Sequence, residues 1–245
     1  MGFIEEKIVI LSGGLATRLR PVTEEIPKSL LDISGKQFIS RQLELLKSNG
    51  FKNIVICAGY LGEKIFKFVK NGEDFGLNVE YSFDGEKLLG TGGAIKKALP
   101  VLSDIFFIIY GDSYLNINYS NVMKYFKTVN YSGLMTVFKN KDKWDKSNVR
   151  FEENKILQYD KKNKNENMHY IDYGLGILKK SLFQNYFTKQ EHFDLETVYK
   201  TLIENNQLAG YEVSERFYEI GSYEGLEETK NYFLKHYNYN NGRLH

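Results

Sequence analysis

The sequence predicts an α/β fold, a mostly parallel sheet with helices packed on both faces. Three observations carry this. Short β-branched apolar runs alternate with stretches of helical period through residues 1–130. Most of those runs are apolar throughout, as strands covered on both sides are. The chain has 245 residues, 42% hydrophobic and 15% aromatic, which is enough to bury a sizeable core.

The elements follow in order. KIVIL (7–11) is a strand ending at glycines. KQFISRQLELLKSNG (36–50) sets Ile39, Leu43 and Leu46 on one helical face and stops at Gly50. NIVICAG (53–59) is a second buried strand, which makes the single cysteine, Cys57, a core residue. LGEKIFKFVKNG (61–72) is a helix and VEYSFD (79–84) a third strand. GGAIKKALPVL (92–102) is a helix opening from glycines. DIFFIIYGD (104–112) is the most apolar strand, and NYSNVMKYFKTV (118–129) a helix.

After residue 130 the pattern changes. SGLMTVFKN reads as a strand, and VRFEENKILQYDKK as a hairpin turning at Glu153-Asn154. HYIDYGLGILKK is another strand, and FDLETVYKTLIENNQL (193–208) a helix with Leu195, Val198, Tyr199 and Leu202 on one face. LAGYEVSERFYEIGS reads as strand, turn, strand, and a last helix starts near Tyr223. No Pro- or Ser-rich linker interrupts the chain. The expectation is one domain over 1–245, with an alternating α/β portion at 1–130 and a β-rich portion plus C-terminal helix at 131–245.

Charge and targeting signals exclude several classes. A net charge of +2 gives no reason to expect nucleic acid or an anionic membrane as partner. One cysteine rules out an internal disulfide framework and fits a reducing cytoplasm. Glu5 and Glu6 interrupt the first apolar run, so it does not read as a signal peptide. Glu6 also stands where a myristoylation motif wants Ser or Thr. The four histidines, His169, His192, His236 and His245, lack metal-ligand spacing. The charged stretches 139–146 and 161–167 read as solvated loops. The aromatic C-terminal helix could pack on the chain's own body or on a second subunit, which leaves a homo-oligomer open.

The chemistry concentrates in LSGGLATRLRPVTEEIPKSLL (11–31). A strand running into Leu11-Ser12-Gly13-Gly14 exposes backbone N–H groups and lets a ligand come close, a natural cradle for phosphate. It is neither a Walker A loop nor a dinucleotide fingerprint, since the next glycine after Gly14 is Gly35. Arg18 can grip phosphate oxygens bidentately, and Lys28, held by Pro27, offers a point charge.

These residues resemble the signature of the sugar-1-phosphate nucleotidyltransferases, G-G-x-G-T-R-L-x-P-x-T followed by P-K. Thr17 and Arg18 match, while Ala16 stands where that family has glycine. If the site needs φ > 0, Ala16 costs about 1 kcal/mol. Further segments resemble the family in order along the chain. LLGTGGAIKKAL (88–99), with Gly90, Thr91 and Gly92, is similar to the segment that closes over the nucleotide. YGDSYL (110–115) is similar to the G-D segment. QYDKK (158–162) resembles the E-K segment that meets the sugar phosphate, with Asp160 for glutamate. IDYGLGIL (171–178) resembles N-A-G-x-Y, with Asp172 and Tyr173 before Gly174. FYEIGSYEGLEE (217–228) resembles W-x-D-I-G-T-P-E, with Glu219 for the second metal-binding aspartate. The resemblance implies a Rossmann-like fold of the nucleotide-diphospho-sugar transferase type.

It also implies an NTP and a sugar 1-phosphate as substrates, joined by in-line attack on the α-phosphorus with release of pyrophosphate. Arg18 would then stabilise the leaving phosphates, and Lys28 would sit on the α-phosphate. Asp112 and Glu219 would hold Mg²⁺. The extra methylene of Glu219 would require its backbone to sit slightly farther back. Lys161, with Asp160, Asp172, Tyr173 and Gly174, would meet the sugar phosphate. Asp84 would read the base. A carboxylate only accepts hydrogen bonds, which favours guanine's adjacent N1–H and N2–H₂, then cytosine, over uracil or thymine. Two other readings stay open: a non-catalytic homologue, and a transferase for a non-sugar phosphate with an aromatic box at Tyr170 and Tyr173.

Overall fold

The computed structural model describes residues 3–140, 143, 144 and 146–241, with side chains to residue 236. The expectations resting on Met1, Gly2 and His245 lie outside these residues. Among the described residues, eleven strands and seven α-helices are joined by short 3-10 turns. The first half alternates as its periodicity predicts. It runs β1 (Ile8–Ser12), α1 (Phe38–Ser48), β2 (Asn53–Ala58), α2 (Gly62–Val69), β3 (Asn78–Phe83), α3 (Gly90–Ala98), β4 (Ile105–Tyr110), β5 (Ser113–Tyr114) and α4 (Tyr119–Thr128). The second half holds β6 (Gly133–Phe138), β7 (Val149–Glu152), β8 (Lys155–Tyr159), β9 (Ile171–Lys179), α5 (Ser181–Tyr186), α6 (Leu195–Glu204), β10 (Leu208–Val213), β11 (Tyr218–Glu219) and α7 (Tyr223–Asn241).

Nine strands form one sheet in the order β3-β2-β1-β4-β9-β6-β10-β8-β7. The first four are mutually parallel, β9 runs antiparallel between β4 and β6, and β10 is parallel to β6. The second half therefore continues the first half's sheet. One hydrophobic cluster lies on each face: Ile8, Ile10 and Phe107 belong to one, and Val9, Leu11 and Phe106 to the other. Burying such a side chain contributes about 1.5–3 kcal/mol, which explains why β1 from Ile8 to Leu11 and β4 from Ile105 to Ile109 are apolar at every position.

The hairpin forms as read, with Glu153 and Asn154 both at positive φ, as a two-residue hairpin turn requires. The last two strands also form as read, but they do not pair with each other. β10 stays in the large sheet, and β11 pairs with β5 in a separate two-stranded ladder. That ladder sits over a third cluster, in which Leu19 and Leu31 of the loop after β1 pack with Ile220 of the β11 segment and Phe233 of α7. The Arg41 guanidinium lies 4.0 Å over the Phe233 ring. α7 thus packs on the chain's own body through residue 236. No helix among the described residues is long and apolar enough to cross a membrane.

Candidate active site

Sheet topology fixes where a ligand can sit. From β1 the chain moves outward to β2 and β3, then returns to place β4 on the other side of β1. Ligands of open α/β sheets bind at such a reversal, outside the carboxyl ends of the strands. A cleft with a cavity volume of about 260 Å³ opens there. Its lining comes from the ends of β1 (Leu11, Ser12, Gly13, Gly14), β2 (Cys57, Tyr60), β3 (Asp84, Leu88) and β4 (Tyr110, Gly111, Asp112). Pro27, Lys28 and Ser29 cover it, and Gly90, Thr91, Ala94 and Asp194 close the far side.

The two adjacent glycines do different work. A Cβ on Gly13 would press on Gly59 N at 3.3 Å, so this glycine lets β1 and β2 approach at their tips. Gly14 meets nothing within 4 Å of where a Cβ would stand and faces open space. Beyond them Ala16 is left-handed, at φ 48 and ψ 38, and its carbonyl accepts Leu19 N–H at 3.1 Å and the buried Thr23 hydroxyl at 2.8 Å. The alanine therefore keeps the geometry for which glycine is the unstrained residue. The Ser12 and Ser29 hydroxyl oxygens are buried and have no hydrogen-bond partner. Orphaned buried hydroxyls facing a cleft point to a polar ligand.

Charges converge at the end of β4. Lys28 Nζ donates to Asp112 Oδ2 at 2.6 Å. Gln42 of α1 donates to the carbonyls of Tyr110 at 2.9 Å and Ser113 at 2.7 Å, which clamps the turn carrying Asp112. The β5–β11 ladder pairs Ser113 with Glu219, and Ile220 N–H bonds Asp112 carbonyl at 2.9 Å. Through this ladder a residue 107 positions down the chain reaches Asp112. Glu219 Oε1 takes the Ser222 hydroxyl at 2.8 Å, and Oε2 takes Gly221 N–H. Burial pushes the Glu219 carboxyl above the usual glutamate range. Ser222 and Gly221 oppose that shift, Asp112 adds to it, and Arg18 opposes it. Arg18, Lys28, Asp112 and Glu219, expected together from the sequence, are brought together.

Asp84 is buried at the cleft wall, where its Oδ2 accepts Leu89 N–H at 3.2 Å. Burial raises its pKa against the pull of Leu89 N–H and Lys97. The neighbouring Cys57 thiol is pushed up to about 12 by burial, with Asp84 adding to it, so it is inert. Lys161 Nζ donates to the hydroxyl of Tyr110, a lining residue, at 3.3 Å.

Other expected residues turn elsewhere. Gly92 does not line the cleft: its N–H goes to Phe193 carbonyl at 2.9 Å, and the Phe193 ring packs against it. Tyr173 is 2% exposed and packs on Phe138 and Phe217 in the core. Tyr170 packs on Phe151 and joins the cluster on the opposite face, so no aromatic box forms with Tyr173. Asp160 receives the N–H groups of Lys162 at 2.8 Å and Asn163 at 2.9 Å within its own loop. Asp172 holds the Tyr159 hydroxyl at 2.9 Å and the N–H of Gly174 at 3.0 Å, where Gly174 needs φ +96.

Sequence reasoning missed Ser29, Tyr60, Tyr110 and Asp194 in the lining, and Gln42 behind it. Gln42 left a trace, being a polar residue on the helical face shared by Ile39, Leu43 and Leu46. Asp194 reads as the N-cap of α6 yet accepts Thr91 N–H at 3.3 Å, while the Thr91 hydroxyl accepts Leu195 N–H at 2.7 Å. Each helix start thus caps the other, across α3 and α6.

A reversal-point cleft with a glycine loop, an arginine, a lysine and two carboxylates is the arrangement of an α/β protein that handles nucleoside phosphates. The comparisons with known proteins carry this further: a family model described as nucleotidyl transferase matches residues 7–236, and the chain belongs to that family. It is an enzyme of the nucleotidyltransferase class. It is 32% identical over 190 residues to D-glycero-alpha-D-manno-heptose 1-phosphate guanylyltransferase of Campylobacter jejuni, covering 77% of this chain and 82% of that one. It is 33% identical over 129 residues to UTP–glucose-1-phosphate uridylyltransferase of Synechocystis, covering 48% of this chain but only a third (33%) of that protein's length. The fold is similar to HddC from Yersinia pseudotuberculosis, with TM-score 0.77 and 24% identity over 93% of this chain and 99% of that one.

Proposed function

We propose that the protein joins an NTP, GTP in preference, to a sugar 1-phosphate, giving an NDP-sugar and pyrophosphate with Mg²⁺ as the metal. The observation that carries this is the meeting of Arg18, Lys28, Asp112 and Glu219 at the mouth of a cleft formed by strand ends. Asp112 and Glu219 offer only carboxylate oxygens, and among the described residues no larger cluster of metal-binding side chains exists. A pair of carboxylates suits Mg²⁺, which keeps waters and phosphate oxygens as its other ligands. When bound, the ion would neutralise phosphate charge.

The chain's own residues do the rest. The Gly13-Gly14 loop receives the triphosphate. Lys28 leaves Asp112 for the α-phosphate oxygens, and Arg18 faces the departing β- and γ-phosphates. Lys161 holds the acceptor phosphate, whose oxygen attacks the α-phosphorus in line as the bond to the pyrophosphate oxygen breaks. Positioning and charge neutralisation then supply the rate. Gly90, Thr91 and Asp84 form the base side, where the Asp84 carboxylate suits the two adjacent donors of guanine. The heptose guanylyltransferase relative supports that preference.

The test is a matrix of four NTPs against sugar 1-phosphates, read by pyrophosphate release. GTP should give the highest kcat/KM. A preference for UTP or dTTP would overturn the base assignment, and no release with any pair would overturn the function.

A further inference from the structure

Glu219 is one methylene longer than the aspartate its segment would be expected to carry, and it is folded back over the start of α7. Its polar contacts form a short relay. Gly225 N–H donates to Ser222 Oγ at 3.0 Å, and Ser222 Oγ donates to Glu219 Oε1 at 2.8 Å. Gly221 N–H holds Oε2.

Two glycines bound the space this side chain fills. A Cβ on Gly221 would stand 2.5 Å from Glu219 Oε2, 3.0 Å from Arg18 Nη2 and 3.2 Å from Asp112 Oδ2. A Cβ on Gly225 would overlap Glu219 Oε1 and lie 2.6 Å from Cδ and 2.8 Å from the Glu219 carbonyl oxygen. Neither glycine has the left-handed backbone that would explain it. Gly225 lies in the first turn of α7, where alanine is the better helix former. Local propensity therefore favours a side chain at 225, and the glutamate carboxylate opposes one.

We propose that Gly221 and Gly225 are positioning residues for the second carboxylate: their missing side chains form the slot in which a glutamate sets its charge beside Asp112 and Arg18. The slot's effect on turnover rests on the function proposed above, whereas its effect on packing does not. An aspartate at 219 would withdraw from Gly225, so the two positions must be coupled.

The test is a double-mutant cycle of Gly225→Ala with Glu219→Asp, read by thermal unfolding and by pyrophosphate release. In the native background Gly225→Ala should lower Tm by about 3 °C or more and cut kcat at least tenfold. In the Glu219→Asp background the same change should lower Tm by at least about 2 °C less, because only the contact with the carbonyl oxygen of residue 219 remains, and leave kcat within about twofold. Equal shifts in both backgrounds, or a Tm rise in the native one, would overturn the coupling. If Gly225→Ala alone fails to fold, folding of the double variant supports the slot and failure of both refutes it. Gly221→Ala should lose activity at least tenfold in both backgrounds, because Arg18 and Asp112 crowd the same point. Near-native turnover would remove Gly221 from the slot. Silence of the native enzyme in every substrate pair would sink the proposed function and leave the Tm cycle readable.

Discussion

The cleft and the 158–174 segment that reaches it through Lys161 are built differently. The cleft is lined by the ends of β1 to β4 and leaves polar groups open: Gly14 faces space, and the Ser12 and Ser29 hydroxyls have no partner. In the 158–174 segment polar groups are tied to one another. Asp160 serves its own turn, and Asp172 serves Tyr159 and Gly174. Among the described residues, Lys161 is held by the Tyr110 hydroxyl at 3.3 Å and by ring faces. A region with unanswered hydrogen bonds is built for a fixed ligand part. A self-satisfied segment with one loosely held cation tolerates variation in what it receives.

The strongest way to break this comparison is a pair of lysine substitutions. Lys28→Ala should lower kcat by about 10²–10³, with a modest change in acceptor KM. Lys161→Ala should instead raise acceptor KM about tenfold and leave nucleotide affinity near native, by steady-state kinetics with each substrate varied. If both act on kcat alone, the two regions do not divide the work. A smaller effect is expected at Ala16. Its left-handed backbone costs roughly 1–2 kcal/mol, and glycine's extra unfolded freedom returns about 0.4–1 kcal/mol. Ala16→Gly should therefore stabilise by about 0.5–1 kcal/mol in denaturant unfolding. A loss of stability would mean that the Thr23 clamp, not φ, governs this turn.

The smallest effect is one of pH. Burial raises the Asp84 pKa above its unfolded value. The folded state therefore holds that proton more tightly, and its contribution to stability is full below the unfolded carboxyl pKa of about 3.9. It fades as pH rises through the raised folded value. Asp84→Asn should be more stable than the native protein at pH 7, with the difference closing towards pH 4. Parallel stability curves would show that the buried charge costs nothing.

Strand ends were legible in the sequence because glycines and charges follow apolar runs at β1 and β4. The Cys57 burial and the hairpin at Glu153-Asn154 were legible because both are local. The acceptor side misled for a simple reason. Asp172 and Tyr173 are neighbours in a strand, and neighbours in a strand face opposite ways, so both could not serve one site. Gly92 gave no local sign that its N–H goes to Phe193, about a hundred residues on. The β5–β11 ladder was equally hidden, because two residues per strand leave no periodicity to read.

The mutual capping of α3 and α6 bears on synthesis. Thr91 emerges from the ribosome about a hundred residues before Asp194 and Leu195, its partners. Until β9 follows, β4 also offers a bare, wholly apolar edge. Such an edge is a template for wrong pairing. A nascent chain paused before residue 180 would therefore expose that edge, and residues 131–245 act as closure for the first hundred and thirty.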